Sequence, residues 1–467
     1  MDREGAPRQA QGRVELLAST GDITADGNES TSPRPGEHAP ATSRSERDDG
    51  LRDYFESAQW TADGTTLLTS SSSNVISGYI VPEDLLSPAV SRPLKLAAQA
   101  TIQLPEPSNV LAGAPYFRLA EPWTQQLLVS ARDHPIQLFY LDPSRQHQKP
   151  ASCYPLTKAR SETFLSATSL VWPDPGTHFV AGSRNLLAKF DVRRAGDEPL
   201  LRVKTIPSDR HLSKGGGVGM RGAVSALAAQ PPDARHASLV AAATWTRWVG
   251  LYDFAQSSGA CVATWSIARA GTDEARVGGD GVAQAAWSPC GRYLLLGERK
   301  SAGVLVYDVR VTGKLLGWLA GRDALGNQRI ACDVFPGQGG GGAGGEDAGF
   351  EVWSGSTHGA VEVWEGVGTR EGAHEPSWGW SAAQRSTVAS TCMHQSGTVV
   401  ATCSGSWEFP DELEGDGDDE CGSQSESSSS EAPWMRRRNR ESSLKIWSIS
   451  NNSYEAASPG ETGNGPE

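Results

Sequence analysis

The stretch VAQAAWSPCGRYLLLGERKSAGVLVYDVR, from Val282 to Arg310, constrains this chain more than any other feature, because its plan is written repeatedly. Ala283, Ala285 and Trp287 alternate with Gln284 and Ala286, the period-two pattern of a half-buried strand. Ser288-Pro289-Cys290-Gly291 is turn chemistry, Pro fixing φ and Gly accepting a positive φ. Tyr293 to Leu296 and Val304 to Tyr307 read as second and third strands, and Thr312-Gly313 turns the chain into a fourth, KLLGWLA. Joined by tight turns, such strands make one antiparallel sheet with two apolar faces and two unpaired edges. Alone it is unstable and needs neighbours.

Repetition supplies them. WTADGTTLLTSSSSNVISGYI (60–80), LVWPDPGTHFVAGSRNLLAKFDV (170–192) and VSALAAQPPDARHASLVAAATWTRWVGLYDF (224–254) follow the same plan. FEVWSGSTHGAVEVWE (350–365) and VASTCMHQSGTVVATCSGSW with SLKIWSI continue it, and QLLVSARDHPIQLFYLD (126–142) is the weakest copy. Each copy ends in an aromatic: Tyr79, Phe139, Phe190, Tyr252, Tyr307, Trp364 and Trp447. Phe190-Asp191, Tyr252-Asp253 and Tyr307-Asp308 stand where a WD dipeptide belongs. Most intervals are ~50–60 residues, a period that in strands alone means radial repetition, each sheet shielding the next.

The predicted fold is therefore all-β, a seven-bladed WD-repeat β-propeller over residues 51–450, with two separate sandwiches as the rival architecture. The C-terminal stretch SNNSYEAASPGETGNGPE offers the last blade no fourth strand, so the β-like run RVELLA at 13–18 is the predicted ring-closing strand. The rest of the leader, 1–50, and the tail, 451–467, are rich in Ser, Pro, Gly and charge, and are expected to be disordered.

Alternating strand direction sorts the loops. Turns between a blade's first and second strands (a–b) and its third and fourth (c–d) share one face; b–c turns and interblade loops share the other. The Gly-rich insertion 336–349 separates the first two strands of blade six and reads as a flexible linker, since it lacks the Gly-Lys-Ser/Thr of a phosphate loop. The insertion 408–441 separates the second and third strands of blade seven and belongs to the b–c face. Its plain reading is a solvated loop. Its sharper readings are an acidic tract that competes with an anionic ligand, strengthened by phosphorylation of Ser427, Ser428, Ser429 and Ser430, and a nuclear-address run of Arg436, Arg437, Arg438 and Arg440. Interblade loops bring Lys158, Arg160, Arg322, Asn327, Gln328 and Arg329 to the same rim as candidate RNA or partner contacts. Guanidinium groups hold phosphates and stack on unpaired bases; pairing with Asp323, Asp333 or Glu162 is the structural alternative.

A formal charge of -13 argues against non-specific coating of nucleic acid, although not against a local basic patch. The seven cysteines are scattered without a C-x-x-C, as expected of thiols in a reducing compartment. The N-terminus has no apolar core for a signal peptide, and no 18-residue apolar run occurs, so no membrane partner is expected. The nine histidines form no H-E-x-x-H, and His358 and His394, in or beside strands, read as structural. With no nucleophile elbow or metal-ligand spacing, the chain is expected to be a non-enzyme without cofactor or metal.

The phrases WTADGTTLLTSSSSNVISGYIVP, GRDALGNQRIACDVFP, SGSTHGAVEVWE and ATCSGSWEFPDELEGDGDDE resemble the corresponding blades of the telomerase Cajal body protein family, from about Tyr54 to Ser450. Asn327-Gln328-Arg329-Ile330 is the most specific part, because generic WD repeats do not require it. The resemblance implies a nuclear RNA chaperone, in the Cajal body or nucleoplasm with room for a cytoplasmic pool. It would bind box H/ACA, small Cajal-body or telomerase RNA and RNP proteins, to promote assembly and localisation. A fungal branch implies a pre-mRNA splicing role instead, and an adaptor that never touches RNA is the further rival. No DNA partner is expected, and the propeller is expected to be monomeric. The Gly-rich insertion, the weak second blade and the leader depart from the animal pattern.

Overall fold

The computed structural model describes residues 14–23, 53–142, 149–158, 160–206, 220–232, 239–255, 259–337, 349–406 and 441–450. Their strands form seven sheets, each antiparallel within its blade. In blade 5, Val282–Trp287, Tyr293–Glu298, Val304–Asp308 and Leu315–Leu319 pair in chain order as strands a to d. The a strands of blades 1 to 4 are Phe55–Trp60, Ser108–Gly113, Ser169–Val171 and Val224–Ala229; those of blades 6 and 7 are Cys332–Pro336 and Val388–Met393. The repeat aromatics all lie on c strands, and Tyr79, Phe139, Phe190, Tyr252, Tyr307 and Trp364 are at most 6 % exposed, which is how each blade fills the gap to its neighbour. Trp447 is half-buried and meets Trp380 edge-on at 6.1 Å.

Val14–Ser19 is the fourth strand of blade 7, antiparallel to Leu444–Ile449, with Leu17 and Ala18 fully buried. Two outer edges carry short parallel covers, Leu94–Lys95 on Val14–Ser19 and Gly372–His374 on Leu315–Leu319, which remove edges otherwise free to pair with another chain. Most of the Gly-rich insertion, the acidic and basic insertion with Ser427–Ser430 and Arg436–Arg440, most of the leader and the tail lie outside the described residues.

Side chains of one blade bond the backbone of the next around much of the ring. Gln59 donates to Leu111 O, Ser169 to Val224 O and Ser225 to Val282 O. Gln284 exchanges two bonds with Cys332, donating to its carbonyl at 2.6 Å and accepting its N–H at 2.8 Å. Asp333 accepts the Met393 N–H at 2.6 Å, and burial pushes its carboxyl up to about 6. Ser390 and the Trp60 indole, bonding Ala58 O and Cys392 O, join blade 7 to blade 1. A bond that satisfies a buried carbonyl while crossing a blade boundary fixes the blades' relative height.

Candidate functional site

The inner strands converge on an axial cavity of about 700 Å³ lined by residues of blades 1 to 5 and 7 and of the loop that enters blade 6. Wedges leave little room at the axis, so a strands such as VSALAA and VAQAAW are built from Ala, Ser and Gln. The cavity wall mixes such small apolar side chains with polar ones, Ser57, Gln59, Ser225, Gln284 and Ser390 among them.

At the b–c end, cations and one large aromatic gather. The b–c turns of blades 1 to 5 each place a residue at positive φ, Asn74, Asp133, Asn185, Arg247 and Lys300. In blade 4 this turn projects Trp245, which is 42 % exposed; in blade 5 it projects Arg299, whose guanidinium lies 4.4 Å from the Trp245 ring centroid. Arg299 Nη1 donates to Asn327 O at 3.0 Å, while Lys300 N and Ser301 N donate to Gly326 O and Ala324 O, so the turn is zipped to the loop 320–331. Below them Arg247 grips Glu298 with two bonds, Nε to Oε1 at 2.7 Å and Nη2 to Oε2 at 2.9 Å, and also donates to Gly278 O. Arg329 reaches into the cavity and donates to Ser225 O at 3.3 Å; Gln328 donates to Gly405 O of blade 7 at 2.7 Å.

Opposite these cations stands Glu56, on the inner strand of blade 1. Burial, aided by Asp53 and opposed by Arg329, pushes its carboxyl from 4.5 up to about 7. Because the folded state holds this proton more tightly than the unfolded chain, its contribution to stability falls as pH rises from about 4.5 through 7. Glu56→Gln should therefore gain on the wild type between pH 5 and 8, by on the order of 2 kcal/mol at the upper end, in parallel urea titrations. A pH-independent difference would assign the effect to packing.

The six candidates from the sequence separate into three places. Asn327, Gln328 and Arg329 line the channel mouth. Arg322, expected on the rim, is only 2 % exposed: it bonds Ile330 O within its own loop and acts on Glu362, whose carboxyl burial pushes up to about 7. It is a loop clamp, and the rim reading is corrected for it. Lys158 and Arg160 are exposed but line a different depression, with Glu162, Glu198 and Arg202, because their hairpin packs on blade 3 through Arg202 Nη1 to Thr157 O at 2.8 Å. They do not join the channel group. His358 is exposed at a b–c turn and pairs with Asp323 at 2.8 Å; His394 bonds Ser396 and meets Trp60 edge-on, 4.9 Å between centroids. Trp245, Arg299 and Glu56 were missed. The loop-sorting rule that placed Asn327 also places the b–c turns TWTRW and ERKS on this face, so the first two were findable; Glu56 had no signal beyond a carboxylate in an inner strand.

No family model matches the chain. It is 25 % identical over 323 residues to "Guanine nucleotide-binding protein negative regulator 1" of Schizosaccharomyces pombe, covering 69 % of this chain and 73 % of that one. It is 26 % identical over 367 residues to "Telomerase Cajal body protein 1" of Bos taurus, covering 77 % of this chain and 59 % of the relative. "Protein SWT21" of Vanderwaltozyma polyspora is 24 % identical over 287 residues, covering 60 % and 62 %. The chain thus spans about three fifths of the cattle protein's length. The chain is similar over about three quarters of its length to the telomerase Cajal body proteins, and its fold is a seven-bladed β-propeller.

Proposed function

We propose that this chain is a non-enzymatic nuclear scaffold whose b–c face holds small nuclear RNA, of the box H/ACA, Cajal-body or telomerase kind, together with RNP proteins. The observation that carries the reading is the Trp245–Arg299 stack beside Asn327 and Arg329 at a channel mouth. An exposed indole backed by a guanidinium is a platform for an unpaired base, and the neighbouring cations suit its phosphates. Arg132, Arg184 and Lys300, exposed at b–c turns, extend the charge for a longer strand. Binding through such contacts weakens with salt.

Trp245→Ala and Arg299→Ala should each lower affinity for a box H/ACA RNA by roughly tenfold or more, with the thermal melt held. Fluorescence anisotropy against the RNA at two salt concentrations reads this. Unchanged affinity in both variants would remove the platform. The name of the fission yeast relative favours a second reading, a protein adaptor using the same face without RNA. Wild-type RNA binding no better than to a same-length unrelated RNA would select it. Binding to spliceosomal RNA instead would select the splicing role.

A further inference from the structure

The outer edges of the blades show how this ring covers its own sides. The segment joining blade 1's last two strands, 81–99, lays Leu94–Lys95 parallel on Val14–Ser19 of blade 7, and Leu96 N donates to Ser19 O at 2.9 Å. The segment 368–377 of blade 6 lays Gly372–His374 parallel on Leu315–Leu319 of blade 5, and Ala320 N donates to His374 O at 2.8 Å. In blade 3, Gly196 of the same connection donates to Cys153 O in the outer strand of blade 2, at 2.8 Å. Each cover comes from the c–d connection of the following blade.

Blade 4 breaks this rule. Its outer strand, Ala260–Ser266, is at 7 residues the longest outer strand of the ring. The following blade's connection is only 309–314; it winds into the 3-10 turn Val309–Val311, and Gly313 lies against Trp265 without a backbone bond. Among the described residues, no backbone hydrogen bond reaches Ala260–Ser266 except from Trp248–Asp253 of its own sheet. A bulge at Val262 leaves Ala263–Ser266 in regular register. The strand carries neither charge nor proline, the usual guards of a bare edge, and Cys261, Val262, Thr264 and Ser266 are exposed.

We propose that this edge docks an extended, β-branched segment of a partner protein, added as a parallel fifth strand. The two covers set its form. Leu94 packs on a buried cluster and His374 is buried, while Lys95 and Ala373 are exposed, so inward and outward residues alternate. Val262, 58 % exposed on the strand, and Val311, 54 % exposed on the adjacent turn, make the contact apolar; the nearby Arg310 and Lys314 are tied to Asp308 and Glu371. A second copy related by a two-fold axis would pair its edge antiparallel, unlike either cover. The chain's own leader and tail leave from blade 7, across the ring. Ser266 Oγ donates to Arg247 O at 3.4 Å, so a parallel segment ends beside the turn that bears Trp245, although the site itself does not depend on RNA.

The test titrates the full chain with a fluorescein-labelled peptide of alternating valine and threonine. Two controls carry N-methyl groups, one on every valine and the other on every threonine. The plain peptide should bind and one methylated version should fail, because only one edge of the peptide faces the blade. Val262→Lys with Thr264→Lys should weaken binding by about tenfold or more with an unchanged melt, while Trp245→Ala leaves it intact. Hydrogen–deuterium exchange should slow within 260–266 when the peptide is added. Equal binding of all three peptides, or of the plain peptide to wild type and the double-lysine variant, overturns the proposal. So does protection at the outer strand of blade 6, Trp378–Ser381, in place of 260–266, or a concentration-dependent dimer that the double-lysine variant abolishes.

Discussion

A chain lacking residues 1–20 is expected to lose its cooperative thermal melt. Val14–Ser19 is the outer strand of the seventh blade although it comes first in the sequence, so its removal opens the ring rather than trimming an end. It leaves Leu444–Ile449 as a bare edge, uncovers the partners of Leu17 and Ala18, and removes the strand on which Leu94–Lys95 rests. A domain whose net stability is about 5–15 kcal/mol does not absorb that sum of losses. Leu17→Ala is the graded version: a fully buried leucine truncated to a methyl should cost about 2–5 kcal/mol, read from urea unfolding. An unaltered melt in the truncated chain would mean that the seventh blade is stable with three strands.

Breaking the Arg247–Glu298 pair should be nearly as damaging, and it links stability to the proposed RNA face. The Glu298 side chain is 2 % exposed and that of Arg247 15 %, with two bonds between them. Removing one partner of a buried pair strands the other's charge, at about 3–5 kcal/mol. Arg247→Ala should therefore destabilise strongly, while the double variant Arg247→Met with Glu298→Leu recovers much of the loss. Arg247 sits at φ 64° and bonds Gly278 O, so it ties the blade-4 turn to the loop entering blade 5. Glu298 directly precedes Arg299. The rescued double variant should fold yet bind RNA less tightly, because the turn bearing Trp245 is no longer anchored. Additive effects of the two substitutions in a double-mutant cycle would show that the pair is not coupled.

Much of the ring was legible from local pattern. The alternation at Ala283–Trp287, the turn at Ser288–Gly291 and the aromatics at c-strand ends are local signals, and each marks a real element. Closure was read from a deficit: a last blade without a fourth strand must take one from elsewhere. The rim was harder. Arg322 and Arg329 share one loop and look alike in sequence, yet one turns inward to clamp Ile330 O and the other faces the channel. That choice is set by packing against blades distant in the chain, as are the Gln284–Cys332 and Asp333–Met393 bonds. Lys158 and Arg160 stand on the expected side by topology, but Arg202 draws their hairpin onto blade 3.

The central claim is that RNA is held on the b–c face around Trp245 and Arg299. Ultraviolet crosslinking of the full-length chain in cells, with sequencing of the bound RNA and mass-spectrometric mapping of the crosslinked peptides, tests it most directly. The account predicts small nuclear RNAs attached through peptides containing Trp245 or the loop 320–331. Crosslinks concentrated on the opposite face, around the exposed Trp123 and Tyr140, or RNA recovered only at background, would contradict it.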